Sequence, residues 1–262
     1  FMVILSSATL SPPDMRQFAL ISKKRSDVFV HGHKGRRKTV VWSLSMSFKD
    51  REESAPRLVK VLKLLIERNV FPFVVATYSV GELLVKKAKD VGLELRLVRT
   101  PEKERERESI IKELRSAIGE ETIIVSPWSV LGRAVDLSYA RSVVAISAGE
   151  SIARPNIGYD AVRSMLMESI LRLTRNRRFA YFRALEITYI RDGVAYALQG
   201  IGRVQRRPFQ IARVLLVGKW FKRIFEKEVF RMEYLPIDEN TPKLRFLPEN
   251  SKPRVVVDEL LK

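Results

Sequence analysis

Two kinds of stretch alternate along the chain: short continuous apolar runs and longer amphipathic ones. Thr39–Leu44 is apolar and rich in β-branched residues, which predicts a strand. Ala55–Arg68 carries apolar residues at 58, 59, 61, 62, 65 and 66, the spacing of a helix that buries one broad face. Val70–Thr77 is a continuous apolar run, as expected of a strand covered on both faces. Ser79 is placed to cap a helix over Gly81–Val91 that stops at Gly92. Leu93–Val98 predicts a strand, and Lys103–Ile118 a helix of dense alternating charge closed by Gly119. Thr122–Ser126 and Arg141–Ser147 predict two more strands. The order β-α-β-α-β-α-β with short links predicts an α/β fold: a parallel sheet with helices on both faces.

Beyond Gly149 the pattern changes. A loop with Pro155 and Gly158 leads into helices expected over Tyr159–Arg172 and Phe179–Leu198. Ile211–Val217 then predicts a strand and Lys219–Val229 a helix. The tail from Met232, with several prolines and mixed charge, is expected to wrap the surface. At the other end, Met2–Leu5 is a short apolar strand running into Ser6-Ser7-Ala8-Thr9-Leu10. Ser11-Pro12-Pro13-Asp14 then opens a turn and a helix start. A buried strand with nothing ahead of it is expected in a fragment of a longer protein.

Composition narrows the class. The chain has 262 residues, 46% of them hydrophobic, enough for a substantial core and against a disordered chain. No apolar run is long enough to span a bilayer and no signal peptide stands at the start, so the expected location is cytoplasmic and no membrane partner is expected. Cysteine is absent, which excludes disulfides, a thiol nucleophile and cysteine-held metal within these residues. His31 and His33 lie in a basic His-Gly-His turn without acidic neighbours, a poor metal site. The net charge of +18 points to a polyanionic partner, nucleic acid first. Lys23, Lys24, Arg25, Lys34, Arg36, Arg37 and Lys38 form either a solvated connector or a phosphate-tracking surface.

Ligands of parallel sheets bind at the carboxyl ends of the strands. That singles out the loops after Leu5, Thr77, Ser126, Ser147 and Val217. Ser6, Ser7 and Thr9 follow the first strand. Asp136, between Val135 and Leu137, needs a partner in so apolar a setting, and Arg133 supplies one; the pair is either structural or faces a nucleotide. Gln199, Arg203 and Arg206 are spaced by four and three before Pro208, which puts an amide and two guanidiniums on one helix face. Such a face suits phosphate, or is a solvated basic surface. Arg172, Arg175, Arg177 and Arg178 form a basic corner beside Phe179, Tyr181 and Phe182; the aromatics either pack the helices or stack on bases. No phosphate-binding glycine loop and no dinucleotide fingerprint occur.

Several motifs line up in order. Ser7-Ala8-Thr9 resembles motif III of superfamily 2 helicases, Phe73–Ser79 stands in the place of motif IV, and Gly132-Arg133-Ala134-Val135-Asp136-Leu137 looks like motif V. Gln199-x-x-Gly202-Arg203-x-x-Arg206 resembles motif VI, the arginine-finger motif. Together with Ser-Ala-Thr-Leu-Ser-Pro and the long helical stretch between motifs V and VI, they are most similar to the XPD/DinG branch, over roughly residues 1–230. The resemblance implies a RecA-like second motor domain over 22–230 with a helical segment at 158–198. Residues 1–21 would be the end of a first motor domain and a linker, and 231–262 a carboxy-terminal extension.

The resemblance also implies roles. Arg203 and Arg206 would be catalytic, reaching ATP phosphates. Gln199, Gly202 and Asp136 would organise the nucleotide cleft, and Ser7 and Thr9 would couple it to the DNA track. Ser79, Trp128, Ser129 and Arg133 would face single-stranded DNA, or RNA. ATP and Mg²⁺ would be held mainly by an upstream motor domain of the same chain. Two departures stand out. Arg133-Ala134 replace the branch's Glu-Gly, and Gly218-Lys219-Trp220 stand where it has Asp-x-Arg. A module that kept the fold and lost the motor is the alternative.

Overall fold

The structure, a computed structural model, describes residues 37–99, 104–126, 142–149, 157–186, 211–226 and 244–262. Its elements in chain order are β1 (Arg37–Trp42), α1 (Arg51–Ile66), β2 (Phe73–Val75), α2 (Tyr78–Lys89), β3 (Arg96–Val98), α3 (Glu104–Ala117), β4 (Ile123–Val125) and β5 (Ser142–Ala148). They continue with α4 (Ile157–Thr174), α5 (Arg177–Leu185), β6 (Ile211–Val217), α6 (Lys219–Glu226), β7 (Arg245–Leu247) and α7 (Pro253–Leu261). The seven strands form one sheet in the order β3-β4-β2-β5-β6-β1-β7. Every pairing is parallel.

The expected α/β class and parallel sheet are therefore what the chain forms. Successive residues of a strand face opposite sides. Val40 and Trp42 enter one core with Val74, Ile124 and Leu215, while Val41 enters the other with Phe73, Val75 and Leu216. The first core is roofed by α1, α2 and α7 through Leu62, Leu84 and Leu260. The second is roofed by α3 and α6 through Leu114 and Phe221. The direction of travel decides which side each helix takes. From β1 to β2 to β3 the chain moves one way along the sheet, and α1 and α2 cover the first face. From β3 to β4 it moves back, and α3 covers the second, as right-handed crossovers require.

The tail differs from expectation. It does not simply wrap the surface: β7 pairs in parallel with β1, and α7 buries Val256, Val257 and Leu260 in the first core. The prolines that suggested a loose tail punctuate short elements instead, Pro248 just after β7 and Pro253 at the start of α7, where a missing N–H costs nothing. Both edge strands are three residues long and begin with an ion-paired arginine. Arg96 bridges Glu113 and Glu121, and Arg245 bridges Glu259. Short charged edges oppose pairing with another chain.

Candidate nucleic-acid interface at the strand ends

All seven strands end on the same side of the sheet, and their ends lie level. Trp42 is in register with Val217, and Val217 with Ala148. Backbone bonds carry the ladder one residue further: Gly149 N–H donates to Val217 O at 2.9 Å and Gly218 N–H to Trp42 O at 2.9 Å. From β2 the chain moves towards β3, and from the adjacent β5 towards β6 on the far side. This divergence is a topological switch point, which opens a crevice beyond the strand ends.

The segment 43–50 spans that edge. It leaves β1 at Ser43, and its Met46 lies against Gly149 at the end of β5. Gly149 has φ +93, and a Cβ there would sit 3.0 Å from Met46 Cβ, so the close passage needs glycine. The segment then turns into α1 at Asp50. Ser45 Oγ donates to Asp50 Oδ2 at 2.5 Å and Ser47 Oγ to the same oxygen at 2.8 Å. These two hydroxyls hold the Asp50 carboxyl below its ordinary range, with smaller help from the charges of Lys219 and Lys49. Because the folded value is depressed, the contribution is full above the ordinary carboxylate range and is lost as pH falls through the depressed value. The stability difference between wild type and Asp50→Asn should therefore shrink on acidification; a constant difference would remove the carboxylate from the turn.

The exposed rim of this edge is an aromatic–basic pair. Phe48 is 81% exposed, and the Arg51 guanidinium lies 4.6 Å from its ring centroid. Arg51 Nη1 also donates to Ser79 Oγ at 3.1 Å, and Ser79 Oγ lies 3.4 Å from Thr77 Oγ1. Arg51 thus links the segment after β1 to the turn after β2 across the switch point. Ser79 is not the helix cap expected from sequence. α2 begins at Tyr78, three residues before Gly81, with Thr77 in the extended cap position, which leaves the Ser79 hydroxyl to accept from Arg51.

Ser79 is the one sequence-predicted site residue within the described residues. Ser7, Thr9, Trp128, Ser129, Arg133, Asp136, Gln199, Gly202, Arg203 and Arg206 lie outside them. Phe48 and Arg51 were missed. Their signal is Phe48-Lys49-Asp50-Arg51, aromatic and basic residues interleaved directly after a buried strand. Among the described residues no group of acidic or histidine side chains is placed to hold a metal ion, and no phosphate loop is present. These residues therefore do not fit Mg²⁺-nucleotide by themselves. Among them, too, no helix is long and apolar enough to cross a membrane.

No family model matches the sequence, and no curated protein resembles it in sequence. Solved structures do resemble it in fold. An apo structure of XPD superposes with a TM-score of 0.52 at 13% identity, over 81% of this chain and 40% of that one. The fold is a RecA-like α/β fold with an all-parallel sheet. Xpd4 of S. tokodaii gives a TM-score of 0.48 at 16% identity, over 85% of this chain and 40% of that one. Dbp5 of S. cerevisiae, solved with RNA and ADP BeF3, gives 0.49 at 15% identity, over 98% and 54%. The chain spans about 40% of the XPD structures it matches. α4 and α5 fall within the span where helices were expected, while residues 187–198 of that span and the two flanking motifs lie outside the described residues.

Proposed function

We propose that this chain is the carboxy-terminal motor domain of an ATP-dependent DNA helicase. The observation that carries the reading is the Phe48–Arg51–Ser79 link across the switch point of a RecA-like sheet. A guanidinium held between an exposed ring and a hydroxyl offers one phosphate contact and one stacking face, the two things a single strand needs. Ser79 of this face, together with Trp128, Ser129 and Arg133, contacts the strand. Arg203 and Arg206 supply positive charge to the phosphates of ATP, Gln199, Gly202 and Asp136 order the cleft, and Ser7 and Thr9 couple it to the strand. ATP and Mg²⁺ are held mainly by an upstream motor domain, in keeping with a sequence that has no phosphate-binding glycine loop and with the lack of an acidic cluster among the described residues.

The chain alone should bind single-stranded DNA without turning over ATP. Steady ATPase activity of the purified chain would sink that half of the reading. Phe48→Ala and Arg51→Ala should each weaken single-stranded DNA binding by roughly ten-fold. Affinity should fall steeply with salt, since phosphate contacts release counterions. Competition between DNA and RNA oligomers decides which strand the motor follows.

One observation favours a second reading, a nucleic-acid-binding or annealing module that has lost its motor. In the place of the Asp-x-Arg of the XPD/DinG branch, Lys219 is ion-paired to Glu249 at 3.2 Å and Trp220 packs against the second core. Neither is a guanidinium. DNA-stimulated ATPase in the full-length protein separates the two: its presence supports the motor, its absence the module.

A further inference from the structure

The α4–α5 hairpin is oddly apolar on its outside. Of the nine large hydrophobic side chains exposed among the described residues, six lie on these two helices: Val162, Met165, Leu173, Phe179, Tyr181 and Phe182. The aromatics of the basic corner belong to neither core. Phe179 is 51% exposed and Tyr181 43%. What α5 fully buries is small, Ala180 and Ala184, and its partly buried Leu185 packs against the second core. An open groove of about 590 Å³ runs between them, lined by Arg163, Ser164, Met167, Arg177, Arg178 and Tyr181. Arg163 is ion-paired to Asp160 at 3.0 Å, whereas Arg172, Arg175, Arg177 and Arg178 have no salt bridge among the described residues. Residues 157–186, the two helices with their turn and the cap of α5, carry six arginines against three acidic residues, Asp160, Glu168 and Glu186.

The corner itself stores a further sign. α4 ends at Thr174, and Arg175 follows with φ +53, a left-handed conformation usually filled by glycine. Its N–H donates to Leu171 O at 2.8 Å, closing the helix. Asn176 then caps α5, its Oδ1 accepting from Phe179 N–H at 3.0 Å. The turn is set by this backbone bond and by the Asn176 side-chain cap. It does not require the arginine side chain, and a glycine would sit there with less strain.

We propose that this corner is a second contact for single-stranded nucleic acid, separate from the strand-end interface. Arg175, Arg177 and Arg178 take phosphates, and the ring of Tyr181 in the groove takes the face of a base. Charge complementarity favours a polyanion over a neutral protein surface, and an exposed ring beside unpaired guanidiniums suits a strand whose bases are unstacked. The proposal rests on the nucleic-acid reading above but names a different surface, and the test keeps the two apart.

The test uses the full chain and three probes: a 20-nucleotide oligothymidylate, dextran sulfate as a base-free polyanion, and phosphatidylserine vesicles. Arg177→Gln/Arg178→Gln should weaken oligothymidylate binding by about ten-fold and flatten its salt slope by about 1.4, the loss of two single-strand phosphate contacts. Tyr181→Ala should weaken oligothymidylate by about five-fold or more while leaving dextran sulfate unchanged. Arg175→Gly should keep or raise the Tm and still weaken the oligomer. The corner is overturned if all three variants bind the oligomer like wild type. It is also overturned if Tyr181→Ala weakens dextran sulfate equally, or if the arginine pair is needed for vesicles and not for the oligomer. Failure of the corner variants while Phe48→Ala still weakens binding rejects this proposal alone. No oligomer binding by wild type rejects both readings.

Discussion

Replacing Arg203 or Arg206 by alanine in the full-length protein is expected to cut DNA-stimulated ATP turnover by about 10³-fold or more, the scale of other arginine fingers. The reason is electrostatic. Arg203 and Arg206 are three residues apart on a predicted helix that Pro208 ends, so two guanidiniums share one face and repel each other. Such a face is relieved by an anion lying across it, and a planar fork matches phosphate better than an ammonium does. Lysine at either position should therefore rescue little. Single-stranded DNA binding should be nearly unchanged in the same variants if, as proposed, their target is the nucleotide. Loss of DNA binding with turnover per bound complex intact would move these arginines to the strand. Wild-type turnover would remove them from any site.

The second large effect concerns stability. Ending the chain before Leu244 should abolish cooperative folding or leave an insoluble product. The deletion removes β7, the partner of one edge of β1, and withdraws Val256, Val257 and Leu260 from the first core. Each fully buried aliphatic side chain contributes about 1.5–3 kcal/mol, so the three together amount to roughly 5–9 kcal/mol. That is comparable with the whole stability of a typical domain, about 5–15 kcal/mol. The loss is deepened by Arg57, which donates to Glu249 O at 2.6 Å and Ser251 O at 3.0 Å and ties α1 to the turn before α7. The milder Leu260→Ala should cost about 2–5 kcal/mol in denaturant unfolding. A truncated chain that melts cooperatively at the wild-type Tm would show the tail to be dispensable.

These expectations were legible in the sequence to unequal degrees. The buried strands were clear because a strand covered on both faces reads as an unbroken apolar run, and Ile211–Val217 was bounded to the residue. Helices were clear where one face is buried, as in α1. β7 was hidden because a three-residue edge strand with an exposed arginine has no period to detect. α7 was hidden because nine residues bounded by Pro253 resemble a proline-punctuated tail until something shows that Val256 and Leu260 have a core to enter. The pairing of Arg51 with Ser79 joins residues 28 apart, and only the sheet order brings the segments after β1 and β2 to one edge. The corner aromatics posed the opposite difficulty. Sequence offers packing and stacking alike, and the structure adds that the three rings are about half exposed.

The position of β1 has a consequence for how the protein is made. Its two sheet neighbours are β6 and β7, and Arg37 meets Ala212, which lies 175 residues later in the chain (212 − 37). On a ribosome adding about 5–20 residues per second, β1 emerges roughly 9–35 seconds before its first partner strand exists. During that wait Val40, Val41 and Trp42, all fully buried in the finished sheet, have no strand beside them. The nascent chain is therefore exposed to misassociation at β1, the earliest strand among the described residues, and a chaperone that holds extended apolar segments would find a target there.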